Sequence, residues 1–182
     1  MRDKTDSVEK YEAYDQIGLG EMIRSDVRSW GSASLAMTKL GFYAAFLYRI
    51  SHYFYLHRFG FLAKCFQFVS QVITGVEISN NAIIGPGLKI LHPSSVHIGP
   101  KVKIGAHAGI CECSAVISND EQGAVPVVGD YLWMSSGGKI MGPINVGDFV
   151  RIGPNSVLFK NIDSNMIALG NPARIMPKTF RF

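Results

Sequence analysis

Read in sixes, the chain from residue 78 runs ISNNAI (78–83), IGPGLK (84–89), and, after a slip, IGPKVK (98–103), IGAHAG (104–109), ICECSA (110–115). A gap follows, and then VGDYLW (128–133), MSSGGK (134–139), IMGPIN (140–145), VGDFVR (146–151), IGPNSV (152–157) and LFKNID (158–163). The leading positions are Ile78, Ile84, Ile90, Ile98, Ile104, Ile110, Val116, Val128, Met134, Ile140, Val146, Ile152 and Leu158, all aliphatic or Met. Two residues before most of them stands another small or apolar residue, such as Ala82, Val96, Val102, Ala108, Ser114, Leu132, Ile144 or Val150. Often the residue after is glycine: Gly85, Gly99, Gly105, Gly129, Gly147, Gly153.

A period of six belongs neither to a helix nor to a simple pleat. It fits short strands that turn a corner every six residues. Three faces close one coil of about eighteen residues, and coils stack roughly 4.8 Å apart as parallel ladders. The leading residues then fill the axis of a triangular prism, and the glycines are expected to adopt a backbone conformation closed to residues with a Cβ. A β-sandwich would instead need alternation and strands about 8–12 residues apart. The expected architecture is a hexapeptide-repeat parallel β-helix over 75–163.

Two interruptions break the repeat. Between Ile90 and Ile98 two residues are inserted at His92-Pro93-Ser94-Ser95. Between Val116 and Val128, Gln122 takes an aliphatic slot, and SNDEQGAVP predicts a loop leaving the prism. Insertions on a solenoid edge are where function concentrates.

The remaining regions divide into an arm over 1–20, a helical region over 21–74 and a cap over 164–182. The arm is charged, ends in Gly18-Leu19-Gly20, and is expected to be poorly ordered. Met22, Ile23, Val27 and Trp30 form a first helical stripe, interrupted at Gly31-Ser32. Leu35 to His57 is aromatic-rich, but Arg49 and His52 sit in its middle and its apolar run is shorter than the ~20 residues a bilayer requires. It is expected to be a helix buried between subunits, with membrane contact at most peripheral. Gly60 breaks it, and Phe61 to Val72 form another helix.

With 182 residues, a net charge of +4 and basic residues gathered toward the C-terminal third, the chain suits a phosphorylated small ligand better than nucleic acid. Cys65, Cys111 and Cys113 make no disulfide framework, which predicts a cytoplasmic setting, as does the polar start with no signal-peptide pattern. Cys111-Glu-Cys113 lacks zinc spacing. His92, His97 and His107 do not share coil spacing, so no metal site is expected.

Leu47-Tyr48-Arg49-Ile50-Ser51-His52, Thr74-Gly75-Val76-Glu77-Ile78, the slip at His92 and Gly170-Asn171-Pro172-Ala173-Arg174 carry a resemblance. The chain resembles the serine acetyltransferase branch of the hexapeptide-repeat acyltransferases, in particular members found with polysaccharide biosynthesis enzymes. The resemblance covers residues from about Glu21 to Lys178. It implies a left-handed prism, a homotrimer that can pair into a hexamer, and acetyl-CoA as cosubstrate, bound in the groove between two prisms. It puts the catalytic base on His92 and its orienting carboxylate on Glu77, where the family usually has Asp. A coil of eighteen residues would also set residue 95 over Glu77, bringing the bulge and that carboxylate to one corner. A hydroxyl becomes a useful nucleophile when a neutral imidazole takes its proton, and a carboxylate on the other ring nitrogen fixes the tautomer. The resemblance further implies that the turns at Ser136 and Pro154 hold the pantetheine, while Lys160, Arg174 and Lys178 face the nucleotide phosphates. Trp133 is expected at a subunit contact.

Two departures bear on the acceptor. The family's Asp before the catalytic His is Leu91 here, and its Arg-His-Pro is Ala124-Val125-Pro126. A zwitterion needs charged partners when it is desolvated. The expected activity is therefore O-acetylation of a neutral sugar or glycan hydroxyl. Serine O-acetylation, N-acetylation of an amino sugar and a non-catalytic assembly role are the alternatives.

Overall fold

The computed structural model describes residues 4–118 and 123–178. Among the described residues five helices precede a parallel β-helix, and the faces of the prism are three sheets. The strands in chain order are β1 (Val76–Ile78), β2 (Ile83–Ile84), β3 (Lys89–Ile90), β4 (Val96–Ile98), β5 (Lys103–Ile104), β6 (Gly109–Ile110), β7 (Ala115–Ile117) and β8 (Val127–Val128). They continue as β9 (Trp133–Met134), β10 (Lys139–Met141), β11 (Asn145–Val146), β12 (Arg151–Ile152), β13 (Val157–Leu158), β14 (Met166–Leu169) and β15 (Arg174–Pro177). Every third strand stacks: β1-β4-β7-β10-β13, β11-β8-β5-β2, and β15-β14-β12-β9-β6-β3. All thirteen leading residues of the hexapeptides are buried, as are the eight named residues two positions before them, and most of them form one continuous core. Among the described residues no helix is long and apolar enough to cross a membrane.

The register shows where the repeat departs from eighteen. Val76 stacks under Val96, a coil of twenty, because the bulge at 93–94 lies within it. His97 stacks under Ala115 with the regular eighteen. Ala115 stacks under Lys139 after twenty-four, the extra six falling in the loop predicted between Val116 and Val128. Of that loop, residues 119–122, Gln122 included, lie outside the described residues.

The repeat glycines answer to a different cause from the one expected. Gly85, Gly99, Gly105, Gly129, Gly147 and Gly153 do not have positive φ. Most of them are small because the next coil passes close: a Cβ on Gly85 would come within 2.7 Å of the Ala106 nitrogen, and one on Gly105 within 2.6 Å of the Gly129 carbonyl carbon. The left-handed residues sit elsewhere, in stacked columns. One corner is turned by Gly75, Ser95, Cys113, Gly137 and Asn155, and another by Gly87, His107, Tyr131, Phe149 and Asn165. At the second corner the rings of His107 and Tyr131 stack at 4.9 Å, and those of Tyr131 and Phe149 at 4.6 Å.

Parallel coils leave the carbonyls of the first coil unpaired on one side, since its N–H groups bond upward to the next coil. The helices satisfy them. They are α1 (Lys4–Asp15), α2 (Leu19–Ser29), α3 (Ala33–Met37), α4 (Leu40–Leu56) and α5 (Gly60–Thr74). Tyr48 on α4 donates to the Ala82 carbonyl at 2.8 Å. Arg49 donates to the Ile84 and Gly85 carbonyls at 2.6 and 2.8 Å. Its Nε also binds Asp26 of α2 at 2.8 Å, and Asp26 accepts from the Gly87 and Leu88 N–H groups. The other end of the prism is closed by β15, which returns antiparallel on β14. The third sheet therefore runs past 163, to Leu169, before the cap begins.

Two expectations for the N-terminal part change. Lys4–Asp15 is a helix, not a poorly ordered arm, and it is docked on the prism. Tyr11 is buried and donates to the Val128 carbonyl at 2.7 Å, while Lys10 pairs with Asp130 at 2.7 Å. The segment Leu35–His57 is two helices, broken at Thr38-Lys39, and α4 buries Ala44, Ala45 and Tyr48 in the core of its own chain. Exposed apolar side chains are prominent on α5, where Phe61, Phe68, Val72 and Ile73 are each more than half exposed.

Gly41 sets how closely α4 approaches β3. A Cβ there would overlap the carbonyl of Ile90. Gly41→Ala is expected to push α4 outward and lower stability by about 1–3 kcal/mol. Urea unfolding followed by circular dichroism checks this; an unchanged midpoint would refute it.

Candidate active site

Ile90 ends β3 with its side chain in the core. The ladder continues one residue more, Leu91 N–H donating to the Ile110 carbonyl at 2.9 Å. Then the chain leaves the ladder. The next rung is Cys113 N–H to the Ser94 carbonyl, at 2.8 Å, two residues beyond strict stacking. His92 thus stands at the rim of a bulge, on the corner turned by Ser95 and Cys113.

The coils above bring the other residues to that corner. Lys89 stacks under Gly109, Gly109 under Trp133, and Trp133 under Arg151. Glu112 lies in the coil above the bulge that holds His92, and the same offsets place Ser136 above Glu112 and Pro154 above Ser136. Gly137 N–H donates to the Glu112 carbonyl and Asn155 N–H to the Ser136 carbonyl, both at 2.9 Å. The predicted stacking of Ser136 and Pro154 is present, and both share the corner of His92.

Lys160 and Arg174 line an open cleft of about 600 Å³ with Phe159, Leu169 and the turn Gly170–Ala173. It adjoins the top of the corner column, since Val157 N–H donates to the Gly170 carbonyl at 2.9 Å. Lys178 does not line it. Its backbone is tied to Asn165, at the other corner, by a 3.1 Å bond.

Glu77 is placed differently from expectation. With a coil of twenty, the residue above Glu77 is His97, not Ser95. His97 Nδ1 lies 3.3 Å from Glu77 Oε2, with side chains 45% and 37% exposed. Gln71 of α5 donates to the same oxygen at 3.4 Å. The structure holds no hydrogen bond or ion pair between Glu77 and His92. The two imidazoles flank one corner, and the carboxylate serves the second of them.

Glu112 is the residue that sequence reasoning missed. It lies twenty residues after His92, a signal that the bulged coil length would have supplied. Hydrogen bonds from Ser136 and then from its own backbone N–H, with a smaller pull from the nearby His92, hold its carboxyl below the usual carboxylate range. Its Oε2 is enclosed and has no hydrogen-bond partner.

Of the two neighbouring thiols, Cys111 is a poor nucleophile. Cys111 is buried, and burial followed by the Glu112 charge pushes its thiol up. Cys113 is exposed at the left-handed turn. Trp133 lies across Gly109 on the prism face, partly exposed. Among the described residues no group of three His, Cys, Asp or Glu side chains is placed to hold a metal.

No family model matches the chain. A serine acetyltransferase of Helicobacter pylori strain 26695 is 32% identical over 140 residues, 76% of this chain and 82% of that one. One from Bacillus pumilus is 31% identical over 144 residues, 78% of this chain and 66% of that one. Among solved structures, a serine acetyltransferase in complex with CoA superposes with a TM-score of 0.80 at 26% identity, covering 93% of this chain and 73% of that one. The Neisseria gonorrhoeae serine acetyltransferase gives 0.83 at 23% identity, with 90% and 67% covered, and shows the shared fold.

Proposed function

The chain belongs to the serine acetyltransferase family, and from that premise we propose that it moves the acetyl group of acetyl-CoA to the side-chain hydroxyl of L-serine. It is an acetyl-CoA-dependent acyltransferase built on a left-handed β-helix. The observation that carries the reading is the corner itself: an imidazole at the rim of a bulge, two turn layers above it, and a cleft with two cations at its upper end.

In this reading neutral His92 takes the hydroxyl proton as the oxygen attacks the thioester carbonyl. The tetrahedral intermediate collapses, the C–S bond breaks, and His92 returns the proton to the CoA thiolate. The turns at Ser136 and Pro154 hold the pantetheine, and Lys160 and Arg174 hold the phosphates. Assembly is a homotrimer, with the groove between prisms completing the site.

The kinship of the relatives favours serine over the sugar hydroxyl expected from Leu91 and Ala124-Val125. It lends no support to a placement with polysaccharide biosynthesis. Thiol release by the purified protein tests this, with L-serine in one series and nucleotide-sugars in another. Saturable L-serine-dependent release is expected. Release with the sugars alone would overturn the serine reading in favour of a neutral acceptor.

A further inference from the structure

An amino-acid acceptor brings an ammonium group into a desolvated corner, and such a charge needs a carboxylate there. The positions around His92 do not offer one in sequence: Leu91 precedes it, and Pro93, Ser94 and Ser95 follow. Glu77, the carboxylate on the far side of the corner, already receives His97 and Gln71. Glu112 stands in the coil above the bulge, between the rung at Leu91 and the rung from Cys113 to Ser94, and near His92.

Resting on the serine reading, we infer that Glu112 binds the α-ammonium of the acceptor and so sets the enzyme's preference for an amino acid. Two observations and one general property of the side chain support it. Glu112 Oε2 has no partner within the described chain, and enclosed carboxylate oxygens ordinarily have one. The terminal torsion of a Glu side chain is broad and two-fold, so rotation about it exchanges which oxygen faces the corner. No ion pair or hydrogen bond joins Glu112 to His92, so the imidazole and the carboxylate are left for separate atoms of one substrate: the hydroxyl at His92 and the ammonium at Glu112. Ser136, in the layer above, favours the charged form of this carboxyl.

The test compares L-serine with 3-hydroxypropionate, which has the hydroxyl and the carboxylate but no ammonium, in the wild type and in Glu112→Gln. The wild type is expected to prefer L-serine. In the variant, KM for L-serine rises about 10- to 100-fold, KM for acetyl-CoA stays within about twofold, and the preference over 3-hydroxypropionate collapses by the same factor. Glu112→Asp, which keeps the charge on a shorter stem, retains part of the preference and guards against misreading a folding defect.

A Glu112→Gln enzyme that loses kcat equally with both acceptors, with a shifted pH profile, would make Glu112 a support for His92 and overturn the inference. Full retention of the serine preference would also overturn it while leaving the serine reading intact. A wild type inactive with L-serine would remove the serine reading, and this inference with it.

Discussion

Replacing His92 by alanine is expected to lower turnover by about 10²- to 10⁴-fold, the range a positioned general base contributes. Acetyl-CoA binding should persist, because the turns at Ser136 and Pro154 and the cations Lys160 and Arg174 lie in higher layers of the same corner. The prism should also persist: the ladder resumes at Ser94 whatever side chain residue 92 carries. Among the described residues the thiols at this corner are not placed to replace the base. Cys111 is buried, with its thiol pushed up by burial and by the Glu112 charge. His97 is the control that matters, because it holds the carboxylate expected to orient His92. An imidazole that gives Nδ1–H to a carboxylate keeps Nε2 free to accept a proton. Steady-state thiol release in His92→Ala and His97→Ala separates the two. Wild-type turnover in His92→Ala, with loss in His97→Ala, would transfer the base to the Glu77–His97 pair.

The second large effect concerns stability. Asp26→Ala strips the counter-ion from Arg49, whose side chain is 2% exposed. A buried guanidinium left unpaired costs about 3–5 kcal/mol, and the Gly87 and Leu88 N–H groups lose their acceptor in the same step. Asp26→Asn keeps the size and one acceptor oxygen and should cost less. Thermal unfolding checks the order wild type, Asn, Ala. Equal midpoints would mean that the fork of Arg49 on the Ile84 and Gly85 carbonyls suffices to hold α4 to the prism.

The prism was legible because its determinant is one-dimensional. A side chain at every sixth position must enter the axis, so Ile78 through Leu158 declare the coils without any knowledge of what surrounds them. The loop after Val116 and the bulge at His92 showed as gaps in the same count. What escaped depended on register. Eighteen residues set Glu77 under Ser95, and twenty set it under His97; the two residues absorbed at 93–94 decide which imidazole the carboxylate meets. Glu112 was hidden for the same reason. Composition hid the docking of α1, since a charged segment looks solvated until Tyr11 and Lys10 find the Val128 carbonyl and Asp130 on a distant coil. The glycines were read correctly as necessary but for the wrong cause, because the proximity of the next coil leaves no trace within a single hexapeptide.

The stacked corner also acts as a ruler. His92, Glu112, Ser136 and Pro154 occupy successive layers, and each layer advances the chain along the axis by the inter-strand spacing, so three steps separate the base from Pro154 by roughly 14 Å. That span is quantised: deleting a coil would shorten it by one graduation, whereas changing a side chain would not move the marks. The distance between a thioester and the phosphates at the far end of its carrier is equally fixed by covalent bonds. A variant shortened by one coil between Ser136 and the Lys160–Arg174 cleft should therefore fold yet hold the carrier out of step with His92, and its activity should return with a carrier shortened to match.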